Sequence, residues 1–296
     1  MSAISRKRAQ FIVVSLVLPV ILLLMFVVYP AADLLNMSFT NWNGLDLQKT
    51  YIGLSNYRDM IFSSPDLWLS LRNNLIYFFV HLVFIFIELL LAAMFCAKFK
   101  GAGFFKWLIF LPYIINGVAI SYAFSYFFSP VGGAFNEALR LLGLGGFIGN
   151  WLSDPKIVNY VLASVSVWRY SGYHVILFIA GIKSIPNDVL EAAVVDGANA
   201  FQQFWHIIVP SITLVIDFIL FDNVRGALQQ FDIPFIMTSG GPGYASSTFT
   251  LYTINIAFKF NNFGMASTMA IAIMAIIIAV YFLQTKVVAG LRGVKK

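Results

Sequence analysis

Long apolar runs free of charge alternate with polar stretches along this chain of 296 residues. Nothing charged lies between Arg8 and Asp33, between Lys106 and Glu137, or between Lys259 and Lys286. Residues 73–97 carry only Glu88, and residues 157–182 only Arg169. A sixth apolar stretch, from Ile207 to Leu228, contains Asp217, Asp222 and Arg225. A helix needs roughly 20 residues to cross a bilayer core. The pattern therefore predicts an all-α, polytopic membrane protein with helices near 11–31, 73–97, 105–128, 158–182, 207–228 and 264–286. Between them, residues 33–71 hold Trp42, Tyr51, Tyr57 and Trp68, a polar–aromatic mix suited to the membrane interface. Residues 129–156, with glycines at 132, 133, 143, 145, 146 and 149, predict short helices separated by turns. Thr238-Ser239-Gly240-Gly241-Pro242-Gly243, within 229–262, is a turn that no helix crosses.

Composition agrees. The chain is 60% hydrophobic and 11% charged, whereas soluble domains run about 45–50% apolar and about 25% charged. A water-soluble globule is excluded, and so is disorder, which needs more charge. One cysteine leaves no disulfide framework within the chain. His81, His174 and His206 stand far apart in sequence and form no close ligand pair, and no metal site is expected.

Basic residues set the orientation, because short cytoplasmic loops collect Lys and Arg. Arg6, Lys7, Arg8, Lys98, Lys100, Lys106, Lys183, Lys286, Arg292, Lys295 and Lys296 fall on one side, eleven in all. Lys49, Arg58, Arg72, Arg140, Lys156 and Lys259, six over longer loops, fall on the other. Both termini are expected in the cytoplasm, and the net charge of +6 calls for no nucleic-acid partner. The first helix follows Arg6-Lys7-Arg8 like a secretory leader, but its apolar run exceeds 20 residues. Pro30-Ala31-Ala32-Asp33 is a poor cleavage site, so an uncleaved anchor is expected.

The loop between the fourth and fifth predicted helices, residues 183–206, carries the most specific pattern. Pro186 suits a first helical turn, and Asn187 or Asp188 its charge preference. Leu190, Ala193 and Val194 fall on one face. Gly197 permits a left-handed turn, and helix resumes through Phe201, Phe204 and Ile207 before Pro210. By itself this is a docking surface, with small alanines for close approach and Glu191 and Asp196 for a partner's basic groups. Glu191-Ala192-Ala193, then Gly197, Ile207 and Val209-Pro210, resembles the EAA loop of ABC importer permeases; the family pattern has Leu where Val209 stands. The string from Ile185-Pro186 to Asp196-Gly197-Ala198, with Phe204, is similar to the carbohydrate branch, typified by maltose-type and glycerol-3-phosphate-type permeases. Gly53-Leu54-Ser55-Asn56-Tyr57, Leu111-Pro112, Trp168, Thr238 to Pro242 and Phe263-Gly264 match as well, so the resemblance covers nearly the whole chain as one permease domain, 1–296.

The resemblance implies a multi-pass subunit of a prokaryotic cell membrane, embedded in lipid. It would pair with a second homologous permease and dock on two cytoplasmic ATPase subunits through Glu191, Ala192, Ala193, Asp196, Gly197 and Ala198. It would receive sugar from an extracytoplasmic solute-binding protein. The chain has no Gly-x-x-x-x-Gly-Lys-Ser/Thr phosphate loop. ATP and Mg are thus expected on the ATPase partners, with no cofactor and no catalytic residue on this chain.

Polar groups at membrane depth usually face a cavity or a partner. Ser166, Tyr170 and Tyr173 stand at i, i+4 and i+7 of the fourth helix. Asn223, Ala227 and Gln230 repeat that spacing in the fifth, with Asp222 and Gln229 adjacent. Hydroxyls, amides and rings suit a sugar, and the resemblance places a sugar site on these helices; Asn116 and Tyr122 are weaker additions. Helix–helix hydrogen bonding is the competing reading of Ser166, Asn223 and Gln229. For Asp222 and Arg225 the readings are an internal ion pair and a substrate role. Both residues depart from the mostly neutral maltose-type helix. Two other functions stay open: import of a phosphorylated polyol, and a proton-coupled secondary transporter or channel using Glu88, Asp217 and Asp222. A membrane-embedded enzyme lacks any supporting arrangement of residues.

Overall fold

A computed structural model describes residues 3–96 and 100–291, with side chains from 11 to 96 and from 100 to 286. Of the residues that set the orientation, Lys98, Arg292, Lys295 and Lys296 lie outside the described residues, as do the side chains of Arg6, Lys7 and Arg8. Among the described residues the fold is helical, and an isolated bridge, Thr40–Tyr51, is its nearest approach to a sheet.

The chain divides into two units. One comprises residues 1–64 and 253–274. Here α1 (Ala3–Leu23) runs through a π-turn (Leu24–Val28) into α2 (Tyr29–Met37), and α3 (Ser55–Phe62) follows. Every residue from 11 to 32 is exposed, as expected of an apolar helix whose surroundings are lipid or another chain. The Gly53–Tyr57 motif fastens the end of α2. Asn56 donates to the carbonyls of Ser38 and Thr40 at 3.0 and 2.7 Å, and the Tyr57 hydroxyl lies 2.8 Å from Ser38 Oγ.

The other unit, residues 65–252 and 275–296, holds the core. In chain order come α4 (Pro65–Cys96), α5 (Ala102–Ile114), α6 (Gly117–Phe127), α7 (Ala134–Leu141), α8 (Val158–Lys183) and α9 (Asn187–Val195). Next are α10 (Ala200–Gln203), a π-turn (Phe204–Ile208), α11 (Val209–Ser211), α12 (Thr213–Leu228) and α13 (Asp232–Thr238). The last two helices, α14 (Phe249–Phe258) and α15 (Phe263–Leu291), each have residues in both units. The long helices α4 and α8 pack along each other, with α5 and α12 against α8 and α4. Gly172 allows the α5 contact: a Cβ there would fall 2.0 Å from the Ile109 carbonyl oxygen. Close approach through small residues is the usual way helices associate in lipid, where hydrophobic burial supplies little drive.

Two apolar clusters line this bundle. One gathers Tyr77, Ile120, Val158, Leu162 and Ile233; the other gathers Ile85, Leu89, Val175, Phe178, Ile182, Ile212 and Ile219. Between them, α4 and α8 turn polar residues inward, among them His81, Ser166 and His174.

Among the described residues, three helical stretches are long and apolar enough to cross a membrane: Phe11–Met37, Pro65–Cys96 and Phe263–Lys286. Two bent pairs raise the number to five. The 26-residue α8 is long enough but carries Asn159, Ser166, Arg169 and His174, polar groups tolerated because neighbouring helices bury or pair them.

Two expected helices are corrected. The stretch 105–128 is broken: α5 and α6 meet at 95°. Ile115 and Asn116 are extended, and the Asn116 side chain caps α6 by accepting from the Val118 N–H at 2.8 Å. Asn116-Gly117 is a turn signal concealed in a charge-free run. The helix expected over 207–228 bends by 72° near Ile212, two residues past Pro210. A proline ring removes one helical donor and crowds the preceding turn, which here is wound as a π-turn. The glycine-rich turn stands where expected, with α13 ending at Thr238 and positive φ at Ser239 and Gly240. The flanking α13 and α14 are helices where only an external segment was expected.

Candidate functional site

Between the two apolar clusters lies a cavity of about 300 Å³. α4 lends it Tyr77 and His81, and α8 lends Ser166, Tyr170 and His174. α12 and the chain after it contribute Asp222, Asn223, Arg225, Gly226, Ala227, Gln229, Gln230, Phe231 and Asp232. Helical spacing explains the convergence: Tyr77 and His81 stand at i and i+4 on α4, as do Ser166, Tyr170 and His174 on α8.

Four of the residues expected at a site, Ser166, Tyr170, Asn223 and Gln230, thus meet around one space. Ser166 Oγ lies 3.0 Å from His81 Nε2, Asn223 donates to the Phe78 carbonyl at 3.3 Å, and Gln230 donates to Asp232 at 3.2 Å. The other two stand apart from it. Tyr173 stacks on Tyr113, centroids 4.7 Å apart, beside the cavity rather than in its lining. Asn116 is the exposed cap of α6. Sequence reasoning missed Tyr77, His81 and Asp232. The first two share a helix face that was read only for length, and Asp232 lies beyond the expected end of the fifth helix. The buried hydroxyl of Tyr77, in the cavity wall, has no hydrogen-bond partner among the described residues.

Charges at membrane depth are all partnered. Glu88, 2% exposed, accepts from Ser171 Oγ at 2.6 Å and lies 2.9 Å from His174 Nδ1. The other imidazole nitrogen faces Asp222 at 3.8 Å. Asp222 in turn accepts from Arg225 at 2.6 and 3.2 Å, and Arg225 reaches Gln229 at 3.3 Å. Arg169 pairs with Asp232, and Asp217 accepts from Gln284 at 2.7 Å. The internal ion pair read for Asp222 and Arg225 is therefore present, and Asp222 also joins the cavity wall. Among the described residues no three His, Cys, Asp or Glu side chains are placed so that they could hold a metal ion.

The loop 183–206 forms a second feature. α9 ends in a paired carbonyl cap. Gly197, at φ +81°, donates to the Val194 carbonyl at 3.1 Å, and Ala198 donates to that of Ala193 at 2.9 Å. Asn199 and Gln202 then exchange side-chain and backbone bonds of 2.8 and 2.9 Å, starting the next helix. Ala193 is buried, while Glu191, Ala192, Asp196 and Gly197 are exposed and Ala198 is half-buried. On the face that Leu190, Ala193 and Val194 share, Ala193 is buried and Leu190 half-buried, while Val194 is 61% exposed. Asp196, Gly197, Ala198, Gln202, His206 and Ile207 surround an open hollow of about 350 Å³.

A bundle of apolar helices around a polar cavity, with an exposed helix–turn–helix at one end, is the architecture of a polytopic membrane protein. Residues 89–293 match the family model described as binding-protein-dependent transport system inner membrane component. A probable ABC transporter permease, YurN of Bacillus subtilis, is 33% identical over 90% of this chain and 92% of its own. The lactose transport system permease LacF of Rhizobium radiobacter is 32% identical over 89% of each. A bacterial ABC transporter that imports the acidic polysaccharide alginate shares the fold, with a TM-score of 0.84 and 22% identity over 98% of both chains. The chain belongs to the binding-protein-dependent transport system inner membrane component family, as the EAA resemblance implies, and is a multi-pass transport component rather than an enzyme.

Proposed function

We propose that this chain is the permease subunit of an ATP-driven importer of a sugar or oligosaccharide, and that the cavity between α4, α8 and α12 is its half of the sugar path. The cavity carries the reading. Amides from Asn223, Gln229 and Gln230, the Ser166 and Tyr77 hydroxyls and the Tyr170 and Phe231 rings surround one space, which suits a ligand with hydroxyl edges and C–H faces. The unpartnered Tyr77 hydroxyl is a bond left for such a ligand. LacF, named for lactose transport, supports the same substrate class.

In this reading the chain crosses the membrane six times, with α8 as a protein-enclosed span and both termini in the cytoplasm. Glu191, Ala192, Ala193, Asp196, Gly197 and Ala198 form the contact to an ATPase subunit, with exposed Val194 and Val195 beside them. A second permease completes the cavity, and two ATPases supply hydrolysis with their own ATP and Mg. A solute-binding protein outside delivers cargo, and the lipid-facing helices hold the subunit in the membrane.

Purification of the tagged chain tests this reading. A second permease and an ATPase are expected to accompany it, and vesicles containing the complex and its binding protein should take up sugar only with ATP. Uptake that persists without ATP and follows a proton gradient overturns the assignment in favour of a secondary transporter.

A further inference from the structure

Each cationic side chain at the cavity is matched by a carboxylate. Arg225, half exposed, is held by Asp222, and Arg169, mostly buried behind the wall, by Asp232. Behind Asp222 stands His174, and behind His174 the buried Glu88. His81 is engaged with the Ser166 hydroxyl. Three carboxylates therefore face two guanidinium groups and the imidazole of His174. Whether that imidazole is neutral or charged, these groups leave no surplus positive charge.

We propose that this balance selects the cargo: the cavity admits uncharged saccharides and rejects uronate- or phosphate-bearing ones. Asp222 is the positioning residue that sets the balance. This inference rests on the reading of the cavity as a sugar path. An anionic sugar would displace Asp222 from Arg225 and leave a carboxylate unpaired in a low-dielectric wall, a cost that a neutral ligand avoids. Held in place by Asp222 and Gln229, Arg225 still offers donors to neutral hydroxyls. The field of such a site acts on any small reagent that enters it.

The charge balance is measurable without knowing the sugar. Gly226 lines the cavity, and a Cβ added there meets nothing within 4 Å. In the assembled importer, with Cys96→Ser to remove this chain's one cysteine, Gly226→Cys provides a reactive thiol. Its rates are compared for the anionic 2-sulfonatoethyl methanethiosulfonate and the neutral methyl methanethiosulfonate, with the complex lacking Gly226→Cys as background. The ratio cancels changes in the thiol's own reactivity. With Asp222 present, the anionic-to-neutral ratio is expected at or below that of free cysteine. Asp222→Asn, which keeps an acceptor for Arg225 but removes its charge, should raise the ratio by about tenfold, and Asp222→Glu should restore it. A structural role alone would not move this ratio in that direction.

A ratio already above free cysteine, or one that Asp222→Asn leaves unchanged, overturns the proposal. If Asp222→Asn does not assemble, Arg225→Gln takes its place and should lower the ratio; no change there overturns the proposal equally. Absence of labelling by both reagents shows a cavity closed to water and removes both the selection and the sugar path. A wrong ratio together with uptake that depends on Tyr170 and Asn223 removes the selection alone. Uptake indifferent to those two residues removes the sugar path, and this inference with it.

Discussion

Glu88 lies in the C-terminal third of α4 with 2% of its side chain exposed, and two groups of α8, Ser171 and His174, hold it. A buried charge that loses its partner costs about 3–5 kcal/mol, whereas replacing the whole pair with apolar residues is often neutral or stabilising. His174→Ala should therefore lower the thermal midpoint of the purified complex markedly. Glu88→Leu combined with His174→Leu should recover most of that loss. A midpoint unmoved by His174→Ala would show that the pair is not desolvated as the structure has it. The sequence marks Glu88, Arg169, Asp217, Asp222 and Arg225 as charges in need of partners, and each has one. What it does not reveal is which groups answer them. His174, Asp232 and Gln284 come from other helices or from beyond an expected helix end, and helical periodicity says nothing about contacts between helices.

At the scale of elements, α9 and the helix that follows it depend on the cap at Gly197. Its positive φ and its N–H bond to Val194 are both denied to proline. Gly197→Pro should leave the chain inserted and abundant in the membrane while ATP-driven uptake and its coupling to hydrolysis are lost. Normal uptake by this variant would refute the coupling role of the loop. Gly172→Leu acts differently. The side chain would meet the Ile109 and Phe110 backbone, separating α5 from α8, so the yield of folded complex should fall sharply in detergent gel filtration. The helix–glycine–helix of this loop is legible because its signals, Pro186 and Gly197, are local. The break at Asn116 is signalled just as locally, but a charge-free run reads as one helix when hydropathy alone is followed. The bend near Ile212 escaped for a related reason, since Pro210 is tolerated inside membrane helices when neighbours re-satisfy the backbone.

For the whole molecule, a chain only 11% charged keeps most of its ionic groups outside the apolar runs, and of the five inside them Glu88, Arg169, Asp222 and Arg225 are paired at or behind one cavity. Helical class and multi-pass character follow from hydropathy because the bilayer imposes a length. The cavity does not, because α4 enters it through Tyr77 and His81, residues that look like interior packing in one dimension. Topology offers a direct check. A cysteine at Lys156 should react with an impermeant reagent added outside cells, and one at Lys183 only after permeabilisation. Reaction of Lys183→Cys from outside would reverse the orientation.

In the proposed function, sugar passes through the cavity between α4, α8 and α12. The most direct measurement of that passage is the initial rate of ATP-driven uptake into vesicles containing the complex, with and without Tyr170→Ala combined with Asn223→Ala. Loss of two substrate contacts of about 1 kcal/mol or more each should slow uptake by about tenfold or more, with complex stoichiometry unchanged. Uptake at the unaltered rate would contradict the account.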